Sequence, residues 1–163
     1  MDSGDPLRTY VEREALNPGD TMSTSNCVKP ATSLIKFDSN GDPFLEGFRC
    51  GACDEVFLES HRGCPRCFAA GSVAEHRLGT TGTLYNYTIV CRSFPGVAVP
   101  FISAIVDLDG GGTLMGNLLD IPADPHSICF DMPVRIVFRD VGQKDKAGDS
   151  YLAYYFVPRE QTP

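Results

Sequence analysis

Two C-x-x-C pairs, Cys50/Cys53 and Cys64/Cys67, stand ten residues apart in the stretch CGACDEVFLESHRGCPRC. Four of the seven cysteines of the chain fall in these eighteen positions. Two such turns facing one another set four thiolates at the corners of a tetrahedron, the geometry of a structural zinc ion. An odd total of seven argues against a complete disulfide framework. The opening residues, MDSGDPLRTYVERE, have no basic n-region and no apolar h-region, so the expected compartment is the cytoplasm, where thiols stay reduced and clustered cysteines serve as ligands or catalysts.

The spacing therefore predicts Cys50, Cys53, Cys64 and Cys67 as ligands of one metal ion. Zinc is the expected ion; iron is the competitor, because a tetrahedral four-sulfur cage suits both. A thioredoxin-like redox pair would need one C-x-x-C beside a βαβ pattern, and none is visible. Four cysteines close the coordination sphere and leave no position for water or substrate, which points to a structural ion. A ribbon this small buries too little apolar surface to fold unaided, so the ion supplies folding free energy. Four thiolates and one dication leave a residual negative charge. Arg49, His61, Arg62 and Arg66 lie in or beside the cluster and suit its neutralisation; Arg62 and Arg66 are also candidates for meeting an anionic ligand.

The rest of the chain reads as β-structure. Residues 1–33 are rich in Gly, Pro, Ser, Thr and Asn and read as an N-terminal arm. Only PLRTYVEREAL (6–16) suggests a short helix, with Asp5 as N-cap and Pro6 in its first turn. LIKF and FLEGF flank DSNGD and predict a hairpin leading to Cys50. Beyond residue 79, five runs read as strands: 82–94, 100–109, 113–121, 133–140 and 151–159, separated by turn-forming residues, with a short helical turn expected in the 122–132 connection. In the first run, Leu84, Asn86 and Thr88 alternate with Tyr85, Tyr87 and Ile89. Five short strands predict a small antiparallel barrel or sandwich. The chain carries 14 basic and 21 acidic side chains, a net charge of −7. Such a surface repels phosphate backbones and disfavours nucleic acid as a partner. No apolar run approaches the ~20 residues of a membrane span.

The combination of the two knuckles with TTGTLYNYTIV, PFISAIVDLDGG, GNLLD, MPVRIVF and YFVPR, over residues 42–159, resembles one bacterial and archaeal family. This is the zinc-ribbon plus OB-fold family of acyl-CoA-associated proteins, domain of unknown function thirty-five. The resemblance implies a mainly β fold in three parts: an N-terminal arm (1–33), a rubredoxin-like zinc ribbon with its lead-in hairpin (34–79), and a five-stranded OB-fold domain (80–163). It implies a small, non-catalytic subunit beside a thiolase-fold enzyme (a thiolase, acyltransferase or aldolase acting on CoA thioesters, with aromatic-compound degradation as one setting) that stabilises its partner and helps form the CoA pocket. Two positions depart from the family pattern. Asp54 follows the first knuckle and Asp131 precedes Met-Pro-Val, where the family places glycine. Aspartate tolerates a left-handed backbone better than most residues, so both turns are expected to persist.

No nucleophile–base constellation stands out, and no catalytic residue is assigned. Cys91 and Cys129 follow apolar residues and are expected to be buried thiols; Cys27 lies in the polar arm. DLDGGG reads as a flexible hairpin turn, since it lacks the helix and lysine of a phosphate loop. CRSFPGVAVP (91–100) is an apolar loop led by Arg92 and Phe94, suited to a partner groove or to a pantetheine arm and its phosphates. Contacts with CoA or the partner are thus expected at Arg62, Arg66, Arg92 and Phe94. The competing readings are a nucleic-acid-binding ribbon/OB module, with Tyr85 and Tyr87 as a stacking platform, and a rubredoxin-like electron carrier.

Overall fold

The computed structural model describes residues 28–159. The expected helix over 6–16 lies outside them. The described chain is all strand: β1 (Lys29–Pro30), β2 (Ile35–Phe37), β3 (Pro43–Cys50), β4 (Val56–Phe57), β5 (Val73–Arg77), β6 (Thr81–Val90), β7 (Phe101–Leu108), β8 (Thr113–Leu118), β9 (Pro133–Lys144) and β10 (Ser150–Pro158). The turn in the 122–132 connection forms, with Ser127 N donating to Asp124 O, but no helix follows it.

Strands β2 to β5 make the ribbon sheet. The DSNGD turn joins β2 to β3 as expected: Gly41 sits at φ 82°, and the Asp38 carboxylate accepts from the amides of Asn40 and Asp42. β3 is central, pairing with β2, β4 and β5, and it delivers Cys50 opposite Val73.

Strands β6 to β10 close a barrel in the order β6-β7-β8-β10-β9, with β9 returning to β6. All contacts around the ring are antiparallel except β8 beside β10, where Leu118 faces Phe156 in parallel. This is a closed five-stranded OB-fold. Its interior is Leu84, Ile102, Ala104, Val106, Leu114, Leu118, Val134, Leu152 and Phe156, all nearly inaccessible. β1 lies parallel on the outside of β10, fixed there by Lys29, whose ammonium binds Asp145 at 2.9 Å and Asp149 at 2.5 Å on the β9–β10 turn.

The alternation along β6 breaks in the middle. Leu84 pairs with Val106 and Asn86 with Ile105, leaving Tyr85 as an extra, bulged residue. A bulge shifts side-chain parity by one. Leu84 therefore points inward, as do Tyr87 and Ile89, while Asn86 and Thr88 are exposed. Tyr85 is 63% exposed and does not share a face with Tyr87. Tyr87 packs on Phe130 at 5.4 Å between ring centroids. The structure thus separates the two tyrosines of the suggested stacking platform.

Ribbon and barrel share one core. Ile35, Leu45, Val56 and Leu78 belong to the same buried cluster as the barrel interior. The DLDGGG turn makes the join. Its three glycines all have positive φ, at 93°, 104° and 89°. A Cβ on Gly111 would stand 3.0 Å from Val56, and one on Gly112 3.2 Å from it. Bare backbone here lets the ribbon side chain seat directly on the β7–β8 turn.

Candidate metal centre

The two knuckles have the same backbone. In the first, Cys50 N donates to Glu55 O and Asp54 N returns to Cys50 O. In the second, Cys64 N donates to Ala69 O and Phe68 N returns to Cys64 O. The residue after the second cysteine is left-handed in both, Asp54 at φ 60° and Phe68 at φ 61°. Asp131, the other departure from a glycine pattern, sits at φ 62°. The expected persistence of both aspartate turns is what the structure has.

These turns aim four sulfurs at one point. All four Sγ atoms lie within 4.8 Å of one another, with Cys50–Cys67 at 3.7 Å and Cys53–Cys64 at 3.5 Å. Four sulfurs held at ~2.3 Å from a common centre stand about 3.8 Å apart, whereas a disulfide needs ~2.05 Å. The spacing fits an ion-sized gap, and the cysteines are free. Amide donors reach the sulfurs: Ala52 N to Cys50 at 3.3 Å, and Arg66 N and Cys67 N to Cys64 at 3.4 Å each. Such bonds stabilise thiolates at a metal. The set can hold a metal ion and is consistent with a zinc ribbon.

Ser72 adds a contact that the spacing gave no hint of. Its hydroxyl lies 3.2 Å from Cys50 Sγ and 2.9 Å from Ala69 O. It reaches the cage because Gly51 N bonds Ser72 O and draws the start of β5 against the first knuckle. That hydroxyl, helped by the amides of Ala52 and Cys53, brings the Cys50 thiol down to about 6 against the opposing pull of burial. For Cys53 the Glu55 amide pulls down, but burial and the neighbouring thiols Cys64, Cys67 and Cys50 together push it up to about 12. Filling the cage therefore has to expel protons.

Of the nearby cations, Arg66 is exposed and bound to Glu55. Arg49 stands 3.2 Å from the Asp54 carboxylate, out of line for a hydrogen bond. Arg62 is exposed, and no ion pair involves it among the described residues. His61 packs edge-on against Phe57, with centroids 5.4 Å apart.

Arg92 and Phe94 lie elsewhere. Their loop, 91–100, joins β6 to β7 at the end opposite the glycine turn, roughly 23 Å away along eight residues of strand. The structure therefore distributes the four expected contact residues over two surfaces. Phe94 is 84% exposed, with Val97 and Val99 also open. Beside them is a cavity of about 350 Å³ lined by Pro100, Phe101, Ile102, Leu118, Leu119 and Asp120, among others. Asp120 takes two hydrogen bonds from the buried Arg139, at 3.2 and 2.6 Å. Sequence reasoning missed this pair because its members are nineteen residues apart and belong to different elements. Cys91 and Cys129, expected to be buried, are both exposed: β6 ends at Val90, and Ile128, not Cys129, turns into the core.

A closed five-stranded barrel preceded by a four-cysteine double knuckle defines an OB-fold protein with an N-terminal ribbon. The family sequence model described as the C-terminal OB-fold domain of ChsH2 matches residues 75–139. Two relatives are DUF35 domain-containing scaffold proteins. One, from Methanothermobacter thermautotrophicus, is 30% identical over 118 residues, covering 71% of this chain and 86% of its own. The other, from Methanocaldococcus jannaschii, is 30% identical over 119 residues, covering 71% and 82%. A solved structure, the Ltp2-ChsH2(DUF35) aldolase, aligns with a TM-score of 0.55 at 25% identity over 71% of this chain and 84% of that one. The chain belongs to the DUF35 family. Among the described residues, no helix is long and apolar enough to cross a membrane.

Proposed function

We propose that the chain is a non-catalytic, zinc-binding scaffold subunit of an acyl-CoA enzyme assembly. The observation that carries this reading is the alignment, along 71% of the chain, with the DUF35-containing aldolase Ltp2-ChsH2; the scaffold names of the archaeal relatives support it. The partner would be a thiolase-fold subunit, a thiolase, acyltransferase or aldolase acting on CoA thioesters, and would perform the bond-making or bond-breaking. In this reading Cys50, Cys53, Cys64 and Cys67 hold one Zn²⁺ in the ribbon segment (34–79), and the ion supplies folding free energy rather than catalysis. The OB segment (80–163) presents Arg92 and Phe94 to the partner or to a CoA thioester shared with it, and Arg62 and Arg66 form a second contact on the ribbon. The open apolar loop supports a contact surface, since exposed apolar clusters on soluble domains mark interaction sites.

Co-expression with a thiolase-fold subunit from the same genome tests the assignment. The expected result is a complex of fixed stoichiometry, near one zinc per copy of this chain, and a partner that loses activity or solubility alone. A partner fully active and stable by itself overturns the scaffold role; iron in place of zinc favours the electron-carrier reading.

A further inference from the structure

The protein supports its four sulfurs unequally. Cys50 and Cys64 are buried, at 0% and 1% exposure, and each accepts amide hydrogen bonds, Cys50 with the Ser72 hydroxyl in addition. Cys53 is half-buried, whereas Cys67 is exposed. Among the described residues no N–H or O–H donor reaches the Cys67 sulfur, whose near neighbours are the other cage sulfurs, Cys50 Sγ at 3.7 Å and the remaining two within 4.8 Å. The flanking side chains leave it open: Arg66 is tethered to Glu55, and Phe68 stands 85% exposed on a left-handed backbone. Hydrogen bonds to a metal-bound thiolate drain charge from the sulfur and restrain it, and burial blocks approach. A thiolate with neither keeps its nucleophilicity.

We propose that Cys67 is the reactive ligand of the centre, the sulfur that soft electrophiles attack and whose modification opens the cage and releases the ion. The inference rests on the four-cysteine metal reading. With iodoacetamide, the Cys67 thiolate pair forms a sulfur–carbon bond while the carbon–iodine bond breaks and iodide departs. The ligand becomes a neutral thioether, a poor donor for zinc, and three thiolates remain on the ion.

The test uses the full, zinc-loaded chain with Cys27, Cys91 and Cys129 replaced by serine, so that only the cage cysteines consume reagent. Substoichiometric iodoacetamide is added; adducts are located by peptide mass mapping while released zinc is read with a chromophoric chelator. The expected first adduct is on Cys67, formed about tenfold faster than on any other cage cysteine, with zinc appearing in step. Even labelling of the four, a first adduct on Cys53, or zinc retained by the Cys67 adduct overturns the proposal and leaves the metal reading intact. A chain that takes up no zinc overturns the metal reading and the proposal together. If the serine variant does not fold, the wild-type chain is mapped in the same way, its three other cysteines being resolved by their own peptides.

Discussion

Four non-glycine residues among those described hold positive φ: Asp54, Asp120, Asp131 and Phe68. Three are aspartates, for which this backbone is inexpensive. Phe68 is the outlier, since a bulky residue pays more for the left-handed region, and its ring, 85% exposed, recovers little by packing. Phe68→Gly is expected to raise the stability of the chain by about 1 kcal/mol and Asp131→Gly by less than half of that, measured by thermal melts. At this scale the sequence was legible where chemistry is local. C-x-x-C places its own sulfurs, and the aspartates at 54 and 131 announce their backbone. Ser72 and the Asp120–Arg139 pair were illegible because their partners are set by strand pairing rather than by spacing.

At the scale of elements, the strand alternation exposed the barrel before its closure could be seen, because period-2 burial is written into each strand. It failed in the middle of β6, where one bulged residue, Tyr85, exchanges the faces beyond it, and no local residue type marks that insertion. The β7–β8 turn makes a sharper test of packing. Gly111→Ala and Gly110→Ala meet similar backbone strain, at φ 104° and 93°, but only the former presses on Val56. Gly111→Ala is expected to cost about 1–3 kcal/mol more than Gly110→Ala, read from urea unfolding. The β1 clasp carries a pH dependence. Lys29 and backbone amides bring Asp145 down to about 2, below its ordinary range. The carboxylate's contribution is therefore complete above about pH 4 and fades as pH falls toward 2. Lys29, bound to Asp149 and Asp145, titrates above its ordinary range, so its contribution is complete below about pH 10 and is lost only as pH rises through that raised value. The stability difference between the wild-type chain and Lys29→Met should stay constant from pH 5 to 9 and shrink below pH 4; measuring both proteins at each pH cancels acid effects common to the two.

Across the whole molecule, the ribbon and barrel share buried side chains, so loss of an ion from the cysteines should be felt beyond them. Stripping the proposed ion with a chelator is expected to accelerate hydrogen exchange throughout β3 and β5, next at the Gly110–Gly112 turn, and least in β9 and β10, as followed by mass spectrometry. Equal acceleration everywhere would mean that the barrel has no stability of its own. The glycine seat also bears on how such a chain can be recombined. A knuckle pair transplanted from a protein with no valine at this place would meet two bare residues, Gly111 and Gly112, shaped for that side chain, and this ribbon moved to a different barrel would press its valine against ordinary side chains. The two parts are thus not interchangeable cassettes, and a functional chimera must exchange Val56 together with Gly111 and Gly112.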